Sequence, residues 1–199
     1  MSGGTPGVQD GGSAEQDVAA WRKALRAELI ARRLALPATD RAAASERITA
    51  RLKAMLPTGP ARLIGFYWPF RGEYDPRPLV RDLHAAGLAL ALPVVIARAQ
   101  PLIFRPWQPG AAMARGVWDI PVPAGGEPVE PDTLLVPLVG FDAEGYRLGY
   151  GGGFYDRTIA AMTIRPRTIG VGFGCGRLGT IHPQPYDMRM DQIVTEEDG

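Results

Sequence analysis

Apolar residues recur in this chain with two different periods, and the change of period divides it. Between residues 17 and 36, Val18, Trp21, Leu25 and Leu29 return every three or four positions until Pro37 stops the run. That spacing predicts a helix with one buried face. A second helix is expected over 39–56, with Thr39 as its N-cap and Pro57-Thr58-Gly59-Pro60 as its stop. Short apolar runs then alternate with helices. Residues 62–68, 88–96, 102–105, 133–139, 168–173 and 192–195 read as strands, and 78–86 and 153–164 as helices. Residues 107–132 read as a Pro/Gly-rich connection. Residues 1–15 carry almost nothing apolar and read as a disordered tail ahead of a single domain over 16–199. Strands alternating with helices predict an α/β sandwich with a mainly parallel sheet. Ligands bind such sheets beyond the carboxyl ends of the strands, which should bring the loops after Phe66, Val139 and Phe173 together.

Composition narrows the classes. A hydrophobic content of 46% and a charged content of 22% are those of a soluble globular protein. A net charge of +1 provides no global field for nucleic acid or anionic membrane, so any anion must be met by locally placed arginines. No apolar stretch is long enough to span a bilayer, and the N-terminus lacks the pattern of a secretory signal. One cysteine allows no internal disulfide, which suits a reducing cytoplasm. With one cysteine and only His84 and His182 present, metal clusters of Cys and His are excluded, and catalysis by paired histidines is not expected. Cys175 has no identifiable partner base and reads as a small hydrophobe, and His182 as structural.

Three segments carry chemistry. The first is Arg147-Leu148-Gly149-Tyr150-Gly151-Gly152-Gly153-Phe154-Tyr155-Asp156-Arg157, with four glycines and two arginines in eleven residues. Glycines let backbone N–H groups cradle an anion, arginines fork onto phosphate oxygens, and an aspartate holds a hard cation. A helix starting near Gly153 would add its positive end. The Gly-Lys-Ser/Thr signature of P-loop enzymes is absent, so this cradle has another geometry. The second is Trp68-Pro69-Phe70-Arg71-Gly72-Glu73-Tyr74-Asp75, where aromatics can wall a heterocycle and Glu73 can accept from ring N–H or amino groups. The third runs from Pro183 to Asp191, where Asp191 at a strand entrance can pair with Asp156 around one Mg²⁺. Arg22 and Arg26, one turn apart beside the apolar seam, can clamp a phosphate, whereas Arg33 reads as part of a solvated face.

These segments, together with Arg22-Lys23-Ala24-Leu25-Arg26 and Val136-Pro137-Leu138-Val139-Gly140-Phe141-Asp142, resemble the 5-formyltetrahydrofolate cyclo-ligase family from about residue 18 onward. The resemblance implies the three-layer α/β/α fold shared with ribose-phosphate isomerases and CoA transferases. It implies ATP- and Mg²⁺-dependent closure of 5-formyltetrahydrofolate to 5,10-methenyltetrahydrofolate through a phosphorylated formyl group attacked by substrate N10. By the same resemblance ATP lies against Arg22, Lys23 and Arg26, and against Arg147, Leu148, Gly149, Tyr150, Gly151, Gly152, Gly153, Phe154, Tyr155 and Arg157. Folate lies against Trp68, Glu73, Tyr150, Gly151, Gly152, Gly153 and Phe154, and Asp156 and Asp191 hold the metal. At the position of Arg22 the family often carries lysine, which has a different donor geometry. No acid, base or nucleophile is assigned, because the substrate supplies its own attacking nitrogen. The expected partners are small molecules, with no nucleic acid and no membrane, and the expected state is a monomer. Two alternatives stay open: a sugar-phosphate isomerase or CoA transferase on the same fold, and an inactive folate or nucleotide-binding module.

Overall fold

A computed structural model describes residues 11–56 and 62–197; of the tail expected over 1–15, residues 1–10 lie outside the described residues, as does the expected helix stop at 57–60. Helix α1 (Gly11–Ala35) begins inside the stretch read as tail, because Ala14, Glu15 and Gln16 are good helix formers. Helix α2 (Ala38–Met55) follows after Pro37. Thr39 is not its N-cap: Pro37 occupies that position, and the Thr39 hydroxyl turns to Asp40 Oδ1 at 3.3 Å. Then come β1 (Leu63–Gly65), α3 (Arg77–Ala85), β2 (Ala89–Val94), β3 (Ile103–Trp107), β4 (Met113–Arg115), β5 (Pro121–Pro123) and β6 (Thr133–Pro137). They are followed by β7 (Gly140–Asp142), β8 (Arg147–Leu148), α4 (Phe154–Ala161), β9 (Arg167–Val171), β10 (Arg177–Leu178) and β11 (Gln192–Val194).

Six strands form the central sheet in the order β11-β9-β6-β1-β2-β3, parallel except for β3, which pairs antiparallel to β2 at the edge. Side chains alternate across it, as the pleat requires. From β6, Leu135 packs with Ile48 and Leu52 of α2 and Leu79 of α3, whereas Leu134 and Val136 pack with Ile159 of α4. Both faces are covered, which makes the three layers and explains why the strands are apolar throughout. Helix α1 belongs to a third cluster, Leu29 with Val139, Leu148 and Ile181, which fastens it beside a small sheet of order β10-β7-β8.

Two features were hidden in loops. Residues 107–132 contain the β4/β5 hairpin, whose tip holds Trp118 (φ 56°) and Asp119 (φ 63°) in left-handed conformations. Residues 140–148 fold back as β7 and β8. Prolines at 121 and 123 mask β5, and β7 runs on from the stretch read as one strand over 133–139.

Candidate active site

A cavity of about 370 Å³ opens beyond the carboxyl ends of β1 and β6. Its walls include the turn after β1 with Tyr67, Trp68, Phe70 and Glu73, the glycine run from Arg147 to Asp156, and Arg22 and Arg26 of α1. Trp118 reaches it from the hairpin tip. The loop after Phe173, expected at the same mouth, does not line it. There Gly174 N–H donates to the Glu196 carboxylate instead.

One end of the cavity is glycine-rich and basic. Gly151 (φ 91°) and Gly153 (φ 61°) take backbone conformations that strain any residue with a Cβ, and they deliver the chain to the N-terminus of α4. Arg26 Nε donates to Gly149 O at 2.7 Å, fixing this loop against α1. Burial, and then the neighbouring Arg22 charge, pull the Arg26 guanidinium below its usual value, so a bound anion would relieve it. Arg22 is differently employed. It donates to both Asp187 oxygens (3.3 and 2.5 Å), to Ile181 O at 3.1 Å and to His182 O at 2.9 Å. It therefore ties the segment carrying Gln184 and Tyr186 over the site. Arg147 donates to Asp156 Oδ1 at 3.0 Å and to Met188 O at 3.2 Å, and Met188 N–H reaches the same Oδ1 at 2.9 Å.

The other end is aromatic. Phe70 meets Tyr150 edge-on at 5.7 Å and lies nearly parallel to Trp118 at 6.4 Å, and Trp118 meets Phe154 edge-on at 6.4 Å. Within this wall Glu73 Oε2 accepts from Phe70 N–H at 2.9 Å and Oε1 from the Tyr150 hydroxyl at 3.0 Å. Burial pushes Glu73 up to about 7, against the pull of the Phe70 N–H, the Arg33 charge and Tyr150. The Tyr155 hydroxyl is buried without a hydrogen-bond partner among the described residues, and burial raises its ionisation so that it stays a donor. Such a donor calls for an acceptor on a ligand.

Residues 18–196 match the 5-formyltetrahydrofolate cyclo-ligase family model. The chain belongs to that family. It is 30% identical over 171 residues to the 5-formyltetrahydrofolate cyclo-ligase of Escherichia coli K12, covering 82% of this chain and 94% of that one. The Mycolicibacterium smegmatis cyclo-ligase is 30% identical over 183 residues, covering 88% and 93%. Among solved structures, the 5,10-methenyltetrahydrofolate synthetase of Aquifex aeolicus superposes with a TM-score of 0.76 at 28% identity, covering 89% of this chain and 90% of that one. That of Mycoplasma pneumoniae gives 0.73 at 26% identity, covering 88% and 99%.

Of the residues expected from the cyclo-ligase resemblance, Arg22, Arg26, Trp68, Glu73 and the run from Arg147 to Asp156 line one cavity. Three do not. Lys23 is exposed on α1. Arg157 turns back to Gly152 O and lies over the Phe154 ring at 5.5 Å. Asp191 Oδ2 accepts from the Thr168 N–H (2.7 Å) and hydroxyl (2.9 Å), and Oδ1 pairs with Arg165 at 3.1 Å. Burial alone would raise Asp191, but these bonds and the Arg165 charge hold it below the usual carboxylate range. Of the expected pair of metal carboxylates, Asp156 lines the cavity and Asp191 does not, and no group of three or more metal-ligating side chains occurs among the described residues. Arg33 also departs from expectation. It is 4% exposed rather than solvated, and donates to Arg71 O, Leu138 O and Tyr150 Oη. Trp118 was missed as well; its only signal was a tryptophan inside a Pro/Gly-rich loop. Cys175, read as a small hydrophobe, is half-buried, and burial and then Glu196 raise its thiol.

Proposed function

We propose that this chain converts 5-formyltetrahydrofolate to 5,10-methenyltetrahydrofolate, with ATP as co-substrate and ADP and phosphate released. The reading rests on one observation above the rest: the aromatic turn with Trp68 and Glu73 and the glycine cradle with Asp156 open onto the same cavity. An anion end beside an aromatic end suits a triphosphate laid against a reduced pterin.

The chemistry asks for alignment and charge neutralisation. The formyl oxygen attacks the γ-phosphorus and the bond to the ADP oxygen breaks. Substrate N10 then adds to the activated formyl carbon, its proton departs, and phosphate carries away the C–O electron pair. Arg26, the glycine-run N–H groups and the N-terminus of α4 bind the phosphates. Glu73 accepts from the pterin N–H and amino groups, Phe70, Tyr150 and Phe154 flank the ring, and the Tyr155 hydroxyl donates to substrate. Trp118 and the segment held by Arg22 cover the mouth against water.

For Mg²⁺ the residues fit one carboxylate. Both hydrogen bonds to Asp156 fall on Oδ1, and none from the described residues reaches Oδ2. Mg²⁺ commonly binds through one or two carboxylates plus phosphate oxygens and water, and when bound it supplies charge neutralisation between the phosphates. Asp156 would hold it. We further infer a cytoplasmic monomer acting on small molecules alone; among the described residues no helix is long and apolar enough to cross a membrane.

Absorbance of the methenyl product under MgATP and 5-formyltetrahydrofolate tests the activity, and thermal shifts test the ligands. Product formation with stabilisation by MgATP is expected. Stabilisation by sugar phosphates or acyl-CoA and none by MgATP would overturn the reading in favour of an isomerase or transferase.

A further inference from the structure

Arg33 does not line the cavity, yet it ties together three segments around it. Its Nε donates to Arg71 O at 3.1 Å in the turn after β1, its Nη1 to Leu138 O at 3.2 Å just beyond β6, and its Nη2 to the Tyr150 hydroxyl at 2.7 Å in the glycine run. That hydroxyl has one proton to give. Glu73 Oε1 lies at 3.0 Å and Phe70 O at 3.4 Å, so the carboxyl is the better acceptor. A planar guanidinium serving three loops at once is a geometry that a lysine does not reproduce. We propose that Arg33 is a positioning residue for the folate-binding carboxyl: acting through Tyr150, it fixes the orientation of Glu73 and keeps it a hydrogen-bond acceptor, without touching substrate. The inference rests on reading the aromatic end of the cavity as the pterin pocket.

Charge points the same way as geometry. The titratable and charged groups facing Glu73 are Arg33 from α1, Tyr67 after β1, Tyr150 from the glycine run and Tyr155 from α4. Arg33 is the one cation in that set. Burial drives Glu73 up to about 7, and the Arg33 charge opposes it. Without that charge the carboxyl stays protonated to higher pH. It would then offer a hydroxyl donor where ring N–H and amino groups need an acceptor.

The test uses the full chain with Arg33→Met, Arg33→Lys and Tyr150→Phe. Two quantities are followed: the pH dependence of KM for each substrate, and the Glu73 titration in ligand-free protein by carboxyl-carbon NMR. Arg33→Met should raise the folate KM by about tenfold at neutral pH, the loss of one charge-assisted link, while the ATP KM stays within about twofold. Its Glu73 titration should move to higher pH. Arg33→Lys should restore the titration, because the charge is kept, while recovering only part of the KM, because the fork is lost. Tyr150→Phe cuts the same link and should raise the folate KM even if Arg33→Met fails to fold. Equal rises in both KM values, an unmoved Glu73 titration in Arg33→Met, or an unchanged folate KM in Tyr150→Phe would overturn the proposal. The activity itself is judged separately. A Glu73 titration that follows Arg33 supports the link even in a wild-type chain that forms no methenyl product, an outcome that would overturn the activity alone.

Discussion

Single side chains in this site are defined by what already holds them. Asp156 sits between Arg147 and the Met188 N–H, so an amide at that position keeps the shape and loses the charge. Asp156→Asn should retain the fold, measured by circular dichroism, and lose on the order of 100-fold in kcat, with Mg²⁺ failing to restore it. The two α1 arginines should separate. Arg22→Ala leaves Asp187 buried without its cation and should lower stability by about 3 kcal/mol in urea unfolding. Arg26→Ala, which gives up a hydrogen bond to Gly149 O, should disturb the fold less and raise the ATP KM more.

Glu73 gives a pH signature of its own. Its folded value of about 7 exceeds the ordinary 4.5, so the folded state binds the proton more tightly than the unfolded chain. The stability this contributes is present below about pH 4.5 and is lost as pH rises through 7. Glu73→Gln should therefore stabilise the protein at pH 8 relative to pH 5, by up to about 3 kcal/mol in denaturant unfolding, while weakening folate. A variant that follows the wild-type pH dependence would show that the carboxyl is not desolvated.

At the scale of elements, glycines decide how close the pieces come. A Cβ on Gly140 would meet Leu29 Cδ1 at 2.7 Å and Gly176 O at 3.2 Å, so the close seating of α1 on β7 uses the glycine there. Gly140→Ala should destabilise by about 1–3 kcal/mol in thermal or urea unfolding, through overpacking at the α1 contact. Gly153 differs: it takes φ 61° at the entrance to α4, and a methyl group there would lie 2.8 Å from Arg157 Nη1. Sequence periodicity located α2, α3, α4 and the long strands because each buries a repeating face over at least one full period. The β4/β5 hairpin and the β7/β8 return escaped notice for different reasons: β4, β5 and β8 carry one or two apolar side chains each, with prolines at both ends of β5, and β7 starts three residues after β6 and runs on from the stretch read as one strand over 133–139.

At the scale of the molecule, the site exists because a parallel sheet gathers its carboxyl ends. Trp68 leaves β1, Tyr150 and Asp156 leave the β7/β8 return, and both meet arginines from a helix more than a hundred residues earlier than the glycine run. The chain alone determined the layered α/β architecture, the glycine-rich and basic character of the run from Arg147 to Arg157, and the aromatic-acidic turn, because these rest on local period and residue chemistry. Tertiary packing decided which charges are free. It set Arg22 against Asp187, drew Asp191 to Thr168 and Arg165, and buried Arg33 among three loops. A charge's role depends on the partner that folding places within about 3 Å of it, and sequence spacing does not encode that distance.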